Sequence, residues 1–149
     1  MIWKPNVTVA SIIEHAGKFL MVEEHSSTGP VINQPAGHLE PDESMQDAAI
    51  RETLEETGYH FTPCAFIGSY LWHNKENETT YFRTTFSGTV CHDRIEKQLD
   101  EGIIQALWMT REEIIDNQKR LRSPIILESI DDFLAGKTYP LDLVKQHIK

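Results

Sequence analysis

Gly37-His38-Leu39-Glu40-Pro41-Asp42-Glu43-Ser44-Met45-Gln46-Asp47-Ala48-Ala49-Ile50-Arg51-Glu52-Thr53-Leu54-Glu55-Glu56-Thr57-Gly58 is the stretch on which the fold turns. From Ser44 to Thr57 the spacing predicts a helix, with Met, Ala, Ile and Leu on one side and acids on the other. Asp42 or Ser44 is placed to cap its start, Asp47 follows Ser44 by three residues, and Gly58 stands where a left-handed terminal residue is expected. Glu52, Glu55 and Glu56 fall at i, i+3 and i+4 and so share a helical face. They lie in the last two turns, where the helix dipole is already negative. Each like-charge neighbour costs roughly 0.2–0.5 kcal/mol, and the helix end adds a comparable amount. Arg51 can pair with Asp47 or Glu55 one turn away, but one guanidinium cannot neutralise three carboxylates. Two explanations stand: a solvated acidic surface, or an oxygen-rich site for a hard divalent cation such as magnesium or manganese.

The spacing discriminates between them. Gly37, five residues, Glu43, seven residues, then Arg51-Glu52-Thr53-Leu54-Glu55-Glu56-Thr57-Gly58-Tyr59 resembles the signature of the Nudix hydrolases. Gly37, Glu43, Arg51, Glu52, Glu55, Glu56 and Gly58 all match, which chance would give on the order of once in 10^8 positions at average residue usage. Thr53 departs from the usual aliphatic residue and Tyr59 from a smaller apolar one; neither touches the acids.

The resemblance implies an α/β fold: a Nudix-type α/β/α sandwich with a mixed sheet and the signature loop and helix, formed by residues 1–149 as a single domain. It implies a metal-dependent hydrolase of phosphoanhydride bonds with Mg2+ as cofactor, Mn2+ able to substitute. Glu55 and Glu56 would be metal ligands, Glu52 a ligand or general base, and the carbonyl of Ala36 a further ligand. Arg51 would orient the glutamates by salt bridges, and Glu43 would act as an orienting acid. Asp100 and Glu101 are either a further ligand source or solvated loop charge; Gln105, an amide, cannot serve as a base.

The segments Asn33-Gln34-Pro35-Ala36-Gly37-His38, Leu121-Arg122-Ser123-Pro124 and Tyr139-Pro140-Leu141 also resemble the NudJ-type branch of that family. That branch implies nucleoside di- and triphosphates as substrates, with the pyrophosphorylated pyrimidine precursor of thiamin as another. Nucleotide sugars or oxidised nucleotides are the enzymatic alternatives, and a nucleotide-binding module without catalysis the non-enzymatic one. Four intact glutamates argue against the last. Trp72, Tyr81 and Trp3 could stack on a base or pack in the core. Arg83, mid-strand, reads equally as a phosphate contact or as a cross-strand ion pair.

Outside the signature the chain is ordinary. Of the net charge of −9, residues 37–58 hold seven acids against Arg51, giving −6 and leaving −3 elsewhere. A phosphate substrate would be repelled there without cations. No basic patch suggests long nucleic acids. No apolar run reaches the length of a membrane span, and Met1-Ile2-Trp3-Lys4-Pro5-Asn6 does not begin a signal peptide, so the expected location is the cytoplasm, as monomer or homodimer. The seven histidines, His92 among them, show no zinc spacing, and Cys64 and Cys91 read as small buried apolar residues.

Strands are predicted at Val7–Ile13 and Lys18–Glu24 as a hairpin, at Val31–Gln34, at Cys64–Trp72 and Thr79–Val90 as a second hairpin, and at Ile103–Met109. Thr110 with Glu113 predicts a capping box on a short helix. Ser123 as cap and Pro124 as first residue open a last helix that ends before Gly136.

Overall fold

The computed structural model describes residues 1–91 and 93–148; His92 and Lys149 lie outside the described residues. Its elements in order are β1 (Asn6–His15), β2 (Lys18–Glu24), β3 (Val31–Asn33), β4 (Ala36–His38), α1 (Met45–Thr57), β5 (Phe61–Asn74), β6 (Thr79–Val90), β7 (Ile103–Thr110), α2 (Arg111–Asp116) and α3 (Ile125–Leu134). The sheet runs β3-β2-β1-β6-β5, with β4 added to β1 and β7 to β2. β1 and β6 are parallel and the other pairings antiparallel, so the sheet is mixed as expected.

β1 is buried on both faces because its alternate residues serve two different layers. Val9 and Ile13 pack with Ala48 and Ala49 of α1 and with Phe61, Phe66 and Phe86. Ile12 packs on the opposite side with Phe19, Met21, Ile32, Ile67 and Met109 under Ile126 and Ile130 of α3. One helix layer on each face makes the α/β/α sandwich. Small Ala48 and Ala49 let α1 lie close to the strand that carries the site.

Both hairpins form, but the first only at its tip. Ala16 and Gly17 take positive φ in the turn, and β1 pairs with β2 only at Glu14↔Phe19 and His15↔Lys18. Beyond that β1 takes β4 and β6 as neighbours, while β2 takes β3 and β7. The cause is that both strands are apolar on two faces, so each needs flanking partners rather than a solvated side. β5 begins at Phe61, earlier than expected, and carries Pro63 at a register shift, where a missing N–H is tolerated. Its edge is closed at Phe66 by reciprocal backbone bonds with Tyr139, 2.9 and 2.8 Å. The Tyr139-Pro140-Leu141 segment thereby covers the edge of the sheet.

Several expectations are corrected. Ser44, not Asp42, caps α1, its Oγ accepting from Asp47 N at 3.0 Å; Asp42 is a turn residue at φ 62°. Ser123 caps nothing: its Oγ is buried without a hydrogen-bond partner among the described residues, and Pro124 precedes the helix. Cys64 and Cys91 are exposed, free thiols rather than core residues. Trp3 is also exposed and belongs to no core cluster. The capping box of Thr110 and Glu113 forms as read.

Thr53, the departure from the aliphatic pattern, has a physical partner. It is fully buried, and its hydroxyl lies 2.9 Å from Ser11 Oγ on the face of β1 turned toward α1. Two polar groups thus replace an apolar contact and satisfy each other. Thr53→Val strands the Ser11 hydroxyl and should cost about 1–3 kcal/mol, whereas Ser11→Ala with Thr53→Val should cost less than that single change. Urea midpoints of the single and double variants measure the coupling.

Candidate active site

Four residues of α1 reach the site from one helix, and the loop before it supplies the fifth. Arg51 forms a two-pronged contact with Glu43, Nε to Oε2 and Nη2 to Oε1, both 2.8 Å. Its Nη1 reaches Glu52 Oε1 at 2.8 Å and Glu55 Oε2 at 3.2 Å, and its Nη2 also donates to the carbonyl of His38 at 3.0 Å. One planar cation therefore clamps loop, strand and helix together. Glu43 also accepts from the backbone N–H of Glu40 at 2.9 Å, and the Arg51 guanidinium holds its carboxyl below the usual range. The Arg51 guanidinium is held protonated more firmly than usual by the same contacts.

Gly37 is required by contact, not by backbone angle. A Cβ there would lie 2.1 Å from the Glu52 carboxyl carbon, so the strand leaves room for that side chain. Glu56 points toward the same strand from the next turn. It is 8% exposed and accepts from the Ala36 N–H at 2.9 Å. The helix is thus not divided into an apolar side and an acidic side: Glu56 lies on the buried face with Thr53 and Ala49. Burial raises the Glu56 carboxyl well above its ordinary value, only partly opposed by the Ala36 N–H, and Glu52 adds to the rise. Burial also raises Glu52 and Glu55; Arg51 opposes both shifts and Asp100 adds to them.

Asp100 completes the cluster, while Glu101 does not join it. Carboxylate oxygens of Glu52, Glu55 and Asp100 lie within 4.8 Å of one another. Glu101 is an exposed turn residue, and Gln105 donates to Glu23 at 3.0 Å on the surface. Asp100 is placed by the irregular segment that follows β6. That segment runs past the end of α1, where Arg94 Nε donates to Thr57 O at 2.8 Å, Ile95 N to Gly58 O at 2.8 Å and Asp100 N to Glu55 O at 3.1 Å. Carbonyls left open at the helix terminus are satisfied there, and a cation meets the negative end of the dipole. No sequence spacing marks this contact. Its only trace is an acid at a loop end, which Asp100 shared with Glu101.

Of these groups Glu52 and Glu56, with Ala36 and Gly37, line a cleft of about 790 Å³. Trp72 and Tyr81 stand at the β5–β6 end, stacked with centroids 5.8 Å apart. Both line the cleft, so they are neither core residues nor remote from the site. Arg83 lies in its floor and makes no cross-strand ion pair; its Nη2 donates to Asn33 Oδ1 at 3.2 Å. Lys119, Arg122 and Ser123 line the far end, residues not singled out from sequence as site candidates.

Comparison with known proteins agrees with this geometry. The NUDIX domain family matches residues 3–130, and the chain belongs to that family. By class it is a phosphoanhydride hydrolase. It is 39% identical over 142 residues to Phosphatase NudJ of Escherichia coli strain K12, covering 95% of this chain and 92% of that protein. A NUDIX hydrolase structure from Nitrosomonas europaea superposes with a TM-score of 0.94 at 48% identity, covering 97% of this chain and 98% of that one. The MutT protein from Methanosarcina mazei Go1, 23% identical over 92% of this chain and 99% of its own, shares the fold with a TM-score of 0.73.

A methyl group at residue 37 tests the packing of Glu52. Gly37→Ala should leave the far-UV circular dichroism unchanged while lowering kcat about 10²-fold, because it moves one carboxylate by about an ångström. Retained turnover would show that Glu52 need not stay where Gly37 now leaves room.

Proposed function

We propose that the chain hydrolyses phosphoanhydride bonds of nucleoside di- and triphosphates with magnesium, or manganese in its place, held by the α1 carboxylates. The observation that carries this is the convergence of Glu52, Glu55 and Asp100, with Glu52 and buried Glu56 also lining the cleft. Buried and crowded carboxylates with a single cation among them fit a divalent ion by charge and by ligand type. Glu52, Glu55, Glu56, Asp100 and the Ala36 carbonyl would be the groups that hold it. When bound, the ion would acidify a water and neutralise charge on the phosphate oxygens.

The chain's own groups supply the rest. Glu52, raised by burial, is suited to accept the proton of the attacking water. Arg51 and Glu43 keep Glu52 and Glu55 aligned and act as positioning residues, while the Ala36 N–H orients Glu56. Arg83 offers N–H donors to a phosphate, and Trp72 with Tyr81 offers a flat apolar surface to a base. The share of identity with a phosphatase across nearly the whole chain supports the substrate class. Residues 1–149 would act as one catalytic domain. No helix among the described residues is long and apolar enough to cross a membrane, which agrees with a cytoplasmic enzyme.

Glu55→Gln and Glu56→Gln should each lower magnesium-dependent phosphate release from a nucleotide panel by about 10²–10⁴-fold. A wild-type enzyme that released no phosphate from any nucleotide in magnesium or manganese would refute the assignment.

Glu56→Gln should also stabilise the metal-free protein. The Glu56 carboxyl has a higher pKa folded than unfolded, so its protonated form is the one folding favours. Its contribution is present below the unfolded pKa and is lost as pH rises through the folded value. In EDTA the variant should therefore melt higher than wild type at neutral pH, and the difference should vanish near pH 4. A scan of melting temperature against pH reads this directly.

A further inference from the structure

Arg83 is a buried cation without an ionic partner. It is 7% exposed, and among the described residues its one hydrogen bond goes to a neutral amide, Asn33 Oδ1. Glu56 and Glu24 favour its charge from a distance, yet neither forms an ion pair with it, and burial pushes the guanidinium down to about 10. Asn33 is held in this orientation because its Nδ2 donates to Glu24 Oε1 at 3.0 Å and its Oδ1 also accepts from Gln34 N at 2.9 Å. Leaving a buried guanidinium with most of its donors unused is costly unless an anion arrives.

A second unsatisfied group faces the same cleft. Ser123 lines it, and the Ser123 Oγ is buried with no partner among the described residues. Beside it Arg122 lines the cleft with a guanidinium about half exposed, 3.9 Å from Glu24. Lys119 completes that end. Lys119 and Arg122 line that end with Glu24, so among these lining residues the charge is net positive.

The order of groups along the cleft is set by the sheet. Tyr81 and Arg83 alternate on β6 and so share a face, and Trp72 is the cross-strand partner of Tyr81. Thr8 on β1 pairs with Arg83, and Thr8 also pairs with His38 at the strand that presents the acids. Beyond β1 and β2 lies Asn33, and Arg122 N donates to Ile32 O at 2.9 Å on the same strand. A ring resting on Trp72 and Tyr81 would thus lie on the strand that carries Arg83, and its phosphates would reach Arg83 and, through Asn33, the end lined by Arg122 and Ser123. The wall there is fixed: Leu121 bridges to Ile32, and Arg120 pairs with Glu23.

We propose that Arg83, Arg122 and Ser123 form a pocket for the free terminal phosphate of the substrate, so that residues 119–123 select nucleotides with an uncapped end. This rests on the nucleotide-hydrolase reading above. A terminal phosphate carries close to two negative charges at neutral pH and presents three acceptor oxygens. A distal phosphate esterified to a sugar carries one charge and adds bulk against a closed wall.

The test compares wild type, Arg122→Ala and Ser123→Ala on a nucleoside diphosphate and on the matching nucleoside diphosphate sugar. Both variants should raise KM for the free-ended substrate about 10-fold with kcat within about 3-fold, and leave KM for the capped substrate within about 2-fold, in line with losing one charge-assisted bond. Orthophosphate, added in EDTA, should raise the melting temperature of wild type and should do so less in either variant. Equal KM changes on both substrates, or an orthophosphate shift identical in all three proteins, would overturn the pocket while leaving hydrolysis intact. If wild type hydrolysed neither substrate, the function would fail, and the orthophosphate arm would still decide the pocket.

Discussion

Everything in the site hangs on a single guanidinium. Arg51 sits midway along α1, between acids that would otherwise repel one another, and it contacts Glu43, Glu52 and Glu55 while also reaching the His38 carbonyl. Such a fork has more geometric content than a point charge, because planar donors fix the angles of the carboxylates they touch. The loop, β4 and the helix are held in register by it. Even so, one positive charge cannot balance Glu43, Glu52, Glu55, Glu56 and Asp100. The remaining imbalance is the charge that a divalent cation would offset under the proposed function.

The burial of Glu56 shows how that imbalance is sustained. A carboxylate in a dry position normally carries a proton or finds a partner. Here the Ala36 N–H is the one hydrogen-bond donor described, and the side chain is 8% exposed. Such a group costs stability as a buried charge, a cost that the proposed ion would offset. Arg83 repeats the pattern with opposite sign across the same cleft. Uncompensated charge of both kinds along the same cleft is what the proposed metal-bound polyphosphate would neutralise.

Much of α1 was legible in the sequence, though its cap stayed open between Asp42 and Ser44 and the burial of Glu56 was not seen. Ser44, Gly58 and the spacing of Glu52, Glu55 and Glu56 are local rules, and local rules are visible in a linear string. The capping box at Thr110 and the β5–β6 hairpin were legible for the same reason. What could not be seen depended on partners far along the chain. Asp100 reaches Glu55 through a backbone bond across 45 positions, and its neighbour Glu101 had an equal claim until the segment 93–100 was traced along the helix end. Thr53 looked like a benign substitution because Ser11 lies 42 positions away. The exposed cysteines were misjudged because composition speaks of averages and not of the face on which a strand residue falls.

The amino-acid order alone determined the family, the mixed α/β architecture and the identity of the helix carboxylates, since each follows from periodicity or from a motif contained in one short segment. Tertiary structure alone decided which acid joins them from the loop, that Glu56 is buried and not on a solvated face, and that Arg83 lacks an ionic partner. Burial and desolvation arise from the whole packed surroundings of an atom. They belong to no stretch of chain, and so they become visible only after the sheet has brought β1, β3, β6 and the 119–123 segment together.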